Sequence, residues 1–329
     1  MRRIAIIGAG SRAEAYVRAL LEIPDARVTW IADPQRDRAE LLARAAGATP
    51  SIVDEEAIAA QNVDLVVVAA PTEFHRETVE LAARHGKHVL CEAPIATTPA
   101  DARAMITACD SSGVRLMVGH SSRFAPEYTR VKAALDDGVL GQIGVVRTSR
   151  VGPGDDNGAA SAVEIMIDDL DVLRWWLGDV TRVFALNERT APNGSHGNYL
   201  QAVMRFENGV IAHVEASRAH AGFRTTVEIA GEHGVLTFDS DESATFRLDT
   251  PAHHGEARSV DRFGPWMERA RHVQIQHFMD RLDDGAPFTV SGEDGLRAVE
   301  LSLAVARSAE SGQPVRFEAG LPITVEASS

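Results

Sequence analysis

Cysteine is nearly missing from this chain. Only Cys91 and Cys109 occur in 329 residues, and neither stands in the spacing of a zinc site or a redox dithiol, which excludes a disulfide scaffold and a cysteine metal centre. Cys91 ends an apolar run and Cys109 falls in a helical pattern, so both read as inert buried thiols. Positive charge is in deficit: 33 Lys and Arg against 47 Asp and Glu leave a net charge of −14, the opposite of a nucleic-acid or anionic-membrane surface. Long hydrophobic runs are absent too, since nothing approaches the roughly 20 apolar residues of a membrane span. The opening MRRIAIIGAG resembles a secretion signal only superficially, because Ile4–Ile7 is too short for its apolar core. These absences favour a soluble cytoplasmic protein without nucleic-acid or membrane partners. What is present, 45% hydrophobic residues, is material for two packed domains.

From residue 1 to about 120, short apolar runs alternate with helical patterns. Strands are expected at Ile4–Ile7, Arg27–Ala32, Asp64–Ala70, Lys87–Cys91 and Arg115–His120. Helices are expected at Ala13–Leu21, Arg36–Ala46, Phe74–His85 and Pro99–Ser111. The unbroken β-branched run in DLVVVAA reads as a strand covered on both faces, and the alternation predicts a doubly wound parallel sheet. Gly8-Ala9-Gly10-Ser11-Arg12-Ala13 matches G-x-G-x-x-G/A directly after the first strand and at the start of a helix. There glycines let a pyrophosphate approach and the helix N-terminus offers it free N–H groups. Asp33 ends the second strand, where a carboxylate bonds adenosine ribose hydroxyls and disfavours a 2′-phosphate, so NAD is favoured and NADP remains possible beside Arg36 and Arg38. A helix-capping acid is the plainer reading of Asp33. Ala70-Pro71-Thr72 forms a second loop at the sheet edge, placed to lie over the cofactor. His75 either touches the cofactor or decorates the following helix.

The fourth apolar run stops on Glu92-Ala93-Pro94, an acid, a small residue and a proline at the edge where open α/β sheets hold ligands. After His120 the pattern changes. SSRFAPEYTRVKAALDDGVLGQIG reads as a surface-crossing helix closed by Gly138. Strands follow at Val145–Val151, Val183–Asn187, Tyr199–Phe206, Val210–Ser217, Thr225–Ala230 and Gly234–Asp239, with an Asn-Gly hairpin signal in FENGV. Closing helices are expected near Glu268–Asp283 and Gly292–Ser311. This is an α+β domain on an open, mainly antiparallel sheet, whose uncovered face suits a homodimer or homotetramer. The long helix over Ala162–Val180 carries Glu164 and Asp168 four apart on one face. Closely held carboxylates there supply either an acid/base pair or simply an acidic first turn complementing the helix dipole.

Together IAIIGAGSRA, VVVAAPTEFH, GKHVLCEAPIATT, IDDLDVLRWWLG and VSGEDGLRAVELSLAVARSAESGQPV resemble the Gfo/Idh/MocA family over nearly the whole chain. The resemblance implies a nicotinamide-binding Rossmann domain, residues 1–120, and a substrate-binding and oligomerisation α+β domain, residues 121–329. It implies hydride chemistry at a carbinol carbon of a sugar or cyclitol and places Arg123 near nicotinamide or substrate. It also exposes departures: the family's E-K-P reads Glu92-Ala93-Pro94, and the position of its catalytic histidine is Asp168, with Glu164 as upstream acid. Alanine cannot relay a hydroxyl proton, whereas a carboxylate can. The expected activity is NAD(P)-dependent oxidoreduction with Asp168 as acid/base and Glu164 as its partner. The alternatives are a cofactor- or sugar-binding protein without catalysis, or redox-neutral epimerisation or elimination. No metal site is expected. Substrate contacts are expected in the polar loops Val151–Ala162 and Thr190–Asn198. His196, His213, His220, His253 and His254 read as scattered singles.

Overall fold

The computed structural model of the chain describes residues 1–153, 162–188, 199–240, 246–249, 266–318 and 321–323. The loop 190–198, most of 151–162, and His196, His253 and His254 lie outside them. Contacts divide the chain into two compact units: Met1–Ala125 with Pro265–Val299, and Pro126–Gly264 with Glu300–Ser329. The sequence reading set one boundary, at 120–121; the chain's own packing adds a return to the first unit.

In that first unit six parallel strands form one sheet. They are β1 (Arg2–Ile7), β2 (Ala26–Ala32), β3 (Thr49–Ser51), β4 (Leu65–Val68), β5 (His88–Cys91) and β6 (Leu116–Val118), in spatial order β3-β2-β1-β4-β5-β6. Helices α1 (Ser11–Leu21), α2 (Arg36–Ala46), α3 (Asp54–Ala59), α4 (His75–Arg84) and α5 (Pro99–Ser111) connect them. All four side chains of β4 are buried, as a parallel strand covered on both faces requires, and burying each such aliphatic contributes about 1.5–3 kcal/mol before its entropy cost. Local signals set the helix ends. Thr98 Oγ1 accepts from the Asp101 N–H at 3.1 Å and Pro99 follows it, so α5 starts there. Strand order reverses between β1 and β4, which makes the C-terminal edge of those two strands a topological switch point, the place where ligands bind in such sheets.

The returning helix α8 (Trp266–Asp284) buries Ala270, Ile275, Phe278 and Met279. Its end is fastened within the same unit: the Arg115 guanidinium lies 4.0 Å over the Phe288 ring and donates to the carbonyls of Arg281 and Ala286.

Among the described residues of the second unit, nine strands form a mixed sheet. These are β7 (Ile143–Pro153), β8 (Val180–Glu188), β9 (Tyr199–Phe206), β10 (Ile211–Ser217), β11 (Ala219–Gly231), β12 (Gly234–Asp239), β13 (Phe246–Asp249), β14 (Val315–Glu318) and β15 (Leu321–Ile323), in order β13-β12-β11-β7-β10-β9-β8-β14-β15. Only β7 and β10 pair in parallel; the other neighbours are antiparallel. Helix α6 (Pro126–Asp136) and helix α7 (Ala162–Leu177) belong to this unit, as does the second half of α9 (Gly292–Ser311). Met166, Leu170, Leu173, Trp176 and Leu177 form the buried stripe of α7, at the helical spacing that lays one face on the sheet.

The expectation of one surface-crossing helix after His120 is corrected. Ser121–Phe124 is a 3₁₀ turn with all four residues buried, and the helix begins only at Pro126. The proline fixes the backbone angle of a first helical turn and disfavours helix in the residue before it.

Candidate cofactor edge and catalytic helix

The glycine-rich turn leaves β1 at Gly8, whose φ is +102°. A Cβ there would sit 2.6 Å from the Ala69 carbonyl oxygen, so β1 and the end of β4 approach too closely for any side chain. Gly10 begins α1 without a side-chain cap. A Cβ on it would meet no protein atom within 4 Å. The start of α1 thus has no side-chain cap and open space over Gly10, an arrangement that suits a dinucleotide's pyrophosphate. Ser11 is exposed and Ala13 fully buried, so Ser11 faces solvent while Ala13 packs the helix on the sheet.

Asp33, only 8% exposed, does not cap α2, whose N-cap Gln35 has no side-chain cap bond, but is held by backbone N–H groups on both sides. Its Oδ2 accepts from the Ala9 N–H and its Oδ1 from the Gln35 N–H, each at 2.8 Å. It thereby ties the glycine turn to the start of α2. A carboxylate has about four acceptor positions, so capacity for ribose hydroxyls remains. Arg36, a possible 2′-phosphate partner, is turned to Glu40 on its own helix at 3.7 Å.

His75 is buried and bridges two loops at this edge. Its Nε2 lies 2.9 Å from the Ala70 carbonyl, and its Nδ1 lies 3.0 Å from that of Pro94 and 3.2 Å from that of Ile95. It thus clamps Ala70-Pro71-Thr72 to Glu92-Ala93-Pro94. Of the two readings offered for His75, decoration of a helix fails, because the ring is inside the edge. The Ala93–Pro94 peptide is cis.

Glu92 is 4% exposed. Its Oε2 accepts from the Ala93 N–H at 2.8 Å, and its Oε1 lies 3.4 Å from both Arg12 Nη1 and Arg271 Nη2. Arg123 goes elsewhere: buried, it donates to the Thr289 carbonyl at 2.9 Å and pairs with Asp294 at 3.3 Å, fastening the start of α9 within this unit. Gly8, Asp33, Ala70, His75, Glu92 and Arg12 are thus linked through backbone and side chains at one sheet edge, while the described bonds of Arg123 are structural.

In the second unit, α7 presents Glu164 exposed and Asp168 half-buried, one turn apart. The next residue, Asp169, is 1% exposed and takes a bidentate ion pair from Arg150 of β7, Nε to Oδ2 at 2.8 Å and Nη2 to Oδ1 at 2.9 Å. Arg150 Nη2 also donates to the Tyr128 hydroxyl at 3.2 Å, and the Tyr128 ring stacks on Trp176 with centroids 5.5 Å apart. Burial pushes the Tyr128 hydroxyl and the Asp169 carboxyl above their usual ranges, with Arg150 pulling back on both. Burial works against the Arg150 charge, but Asp169, Tyr128 and Asp168 together hold it well above the ordinary arginine range. Asp168 therefore stands beside a locked, charged network on a rigid helix.

Burial also pushes both thiols up, Cys109 to about 12 and Cys91 well above its usual range, as inert thiols require. Among the described residues no group of His, Cys, Asp and Glu could hold a metal ion, and no helix is long and apolar enough to cross a membrane. The sequence reading missed Arg271, Arg150 and Asp169. Arg271 and Gln274 stand three apart on α8 and are both buried, a placement that no local sequence signal announces.

Comparison with known proteins bears directly on this geometry. A family model described as "Oxidoreductase family, NAD-binding Rossmann fold" matches residues 2–120, and its companion, "Oxidoreductase family, C-terminal alpha/beta domain", matches residues 132–317. The chain belongs to the Gfo/Idh/MocA oxidoreductase family. Inositol 2-dehydrogenase of Rhizobium meliloti strain 1021 is 30% identical over 319 residues, 93% of this chain and 96% of that one. D-apiose dehydrogenase of Paraburkholderia graminis is 30% identical over 352 aligned positions, 99% of this chain and 93% of that one. A solved oxidoreductase from Agrobacterium radiobacter, in complex with NAD+, L-tartaric acid and magnesium, matches with a TM-score of 0.84 at 26% identity, covering 96% of this chain and 98% of that one. As a Gfo/Idh/MocA member the protein is an oxidoreductase with an NAD-binding Rossmann fold.

Proposed function

We propose that the protein is an NAD(H)-dependent dehydrogenase or reductase acting on a CH–OH group of a sugar, cyclitol or related polyol. The observation that carries this reading is near-full-length similarity to inositol 2-dehydrogenase and D-apiose dehydrogenase, on a cofactor edge whose helix N-terminus is uncapped and open at Gly10. In this reading Gly8, Gly10, Ser11, Arg12 and Ala13 receive the pyrophosphate. Asp33 takes the adenosine ribose and Ala70, Pro71, Thr72, Glu92 and Ala93 line the nicotinamide side.

Bound nicotinamide supplies the two-electron acceptor. The chain's own task is the proton: as hydride leaves the carbinol carbon, the hydroxyl proton passes to the Asp168 carboxylate and a carbonyl forms. The reverse direction returns that proton. Glu164, one turn earlier on the same face, serves as partner or substrate clamp. The Arg150–Asp169 pair fixes the helix register that presents Asp168. Rigid support of this kind is what general acid–base chemistry requires.

Asp168→Asn tests the assignment. Removing a general base costs about 10²–10⁴-fold in rate, so turnover of the active polyol should fall at least about a hundredfold while NADH affinity, measured by fluorescence, stays within about twofold. An unchanged rate would remove Asp168 from the chemistry. The missing amine at Ala93 supports a second reading, a cofactor-binding protein without turnover. NADH binding with no turnover across a panel of sugars and cyclitols would favour it.

The open face of the second unit's sheet exposes Leu186, Val203 and Ile211. In our reading a second copy of this chain covers it, and light scattering showing a monomer would refute that.

A further inference from the structure

Position 93 carries no cation, yet the edge it belongs to is not without one. Arg271 of α8 is 5% exposed, and its Nη2 lies 3.4 Å from Glu92 Oε1. Glu92 is the residue immediately before Ala93, and its other oxygen holds the Ala93 N–H at 2.8 Å. We propose that Arg271 is a positioning residue of the cofactor edge. Acting through Glu92, it sets the Ala93-Pro94 turn on which the nicotinamide half of the cofactor rests. This rests on the cofactor reading above and extends it to a residue outside the glycine-rich turn and its neighbouring loops.

The argument is one of charge and partners. A buried ion pair is a poor source of stability, because desolvating two charges offsets most of their attraction. A helix face that already buries Ala270, Ile275 and Phe278 would pack as well with an apolar residue at 271. The guanidinium's contacts are narrow. Its Nε is buried and makes no hydrogen bond among the described residues, and its Cζ lies 5.0 Å from the centroid of the Tyr16 ring. Its charge faces the Glu92 carboxylate and the Tyr16 hydroxyl. The second cation on Glu92, Arg12, has a mostly exposed side chain, so water screens it and it holds the acid less firmly. Tyr16 completes the cluster by donating to Gln274 Oε1 at 3.4 Å, which links α1 to the same turn of α8. Arg271 thus reaches from α8 to the backbone of residue 93 through one carboxylate.

The test compares NADH with ADP-ribose, which lacks the nicotinamide. Both are titrated against wild type, Arg271→Met, Arg271→Lys, Glu92→Gln and the double variant Glu92→Gln/Arg271→Met. The expectation is that Arg271→Met weakens NADH about tenfold or more, part of the several kcal/mol released when one partner of a buried pair is removed. ADP-ribose should stay within about twofold, because its contacts lie at Gly10 and Asp33. Arg271→Lys should recover part of the NADH loss, since it restores charge without the planar fork. In the double variant no buried carboxylate is stranded, so it folds even if Arg271→Met does not. Its NADH affinity should match Glu92→Gln alone, because the two residues act in series. Equal weakening of both ligands, additive losses in the double variant, or unchanged NADH affinity in a folded Arg271→Met would each overturn the proposal. Wild-type protein that binds neither ligand would overturn the cofactor reading, and this inference with it.

Discussion

Gly8 and Gly10 belong to one motif, but the structure assigns them different duties, and alanine at each separates the two. At Gly8 the new Cβ would lie 2.6 Å from the Ala69 oxygen, 2.7 Å from its carbon and 2.8 Å from the Ala70 nitrogen, where ordinary contacts begin near 3.5 Å. The clashing atoms are backbone and cannot swing away. The residue is also held at φ +102°, a conformation that costs a non-glycine residue about 1–3 kcal/mol, and overpacking adds about 1–3 kcal/mol more. Gly8→Ala should therefore destabilise by about 2–6 kcal/mol. That lowers the melting temperature by roughly 5–20 °C for a protein of this size. Gly10 has φ −87° and open space where its Cβ would go, so Gly10→Ala should shift the melting temperature by no more than about 2 °C. It should instead cost ligand. Displacing a phosphate oxygen from the α1 N–H groups forfeits one charge-assisted hydrogen bond of about 1.5–3 kcal/mol, a loss of roughly ten- to a hundredfold in NADH affinity. Differential scanning calorimetry and NADH fluorescence titration read the two effects independently. Gly10→Ala binding NADH as tightly as wild type would refute the idea that the open space over α1 is where the cofactor's phosphates lie.

Two further predictions concern stability. Asp169→Ala strands the buried Arg150 charge and should cost about 3–5 kcal/mol, seen as a melting temperature lower by roughly 6–20 °C. Arg150→Met/Asp169→Leu should recover most of it, and a double variant as unstable as the single one would show that the network matters beyond its charge. The second concerns pH. His88 Nδ1 accepts from the Arg115 N–H at 3.1 Å and His277 Nε2 from the Thr289 N–H at 3.0 Å, so both rings must be neutral to serve. Burial, reinforced by nearby arginines, lowers both below the usual histidine range. The unfolded chain then binds protons that the folded one refuses. Their contribution is fully present above about pH 6.5 and is lost as pH falls below it. The melting temperature should drop over that window and do so less steeply in His88→Gln/His277→Gln, whose amide oxygens can still accept; equal slopes would refute the assignment.

The elements most legible in the sequence were those with local punctuation. Helix α5 begins at Thr98-Pro99 because the cap and the proline are sequence neighbours. Helix α2 ends where Gly47 turns left-handed at φ +66°. The fingerprint at Gly8–Ala13 was readable because its strand and helix flank it directly. The short strands β3, β13, β14 and β15, of three or four residues, and the six-residue helix α3 are too short to carry a readable periodicity. The parallel pairing of β7 with β10 was likewise hidden, because hairpin signals report only antiparallel neighbours. At the site, the residues that fasten others were the hidden ones. Asp33 was visible as an acid at a strand end, but its grip on the Ala9 N–H was not. Arg271 stands in ERARHVQ, a run that reads as a solvated helix face, and only long-range packing turns it inward to Glu92.

Set side by side, positions 93 and 168 share a surrounding logic. Ala93 follows Glu92, a buried acid held by Arg271 from another element; Asp168 precedes Asp169, a buried acid held by Arg150 from another element. In each unit a buried ion pair holds the backbone beside the position where the sequence resemblance implies a replaced proton-handling group. Stability alone is a weak reason for such desolvated pairs, since apolar replacements are often neutral or stabilising. Their placement beside both positions supports the proposal that the backbone at residues 93 and 168 is held for a ligand. With Asp168 as the proposed proton-handling group, substitutions there should act on rate far more than on folding, while those at Asp169 should do the reverse.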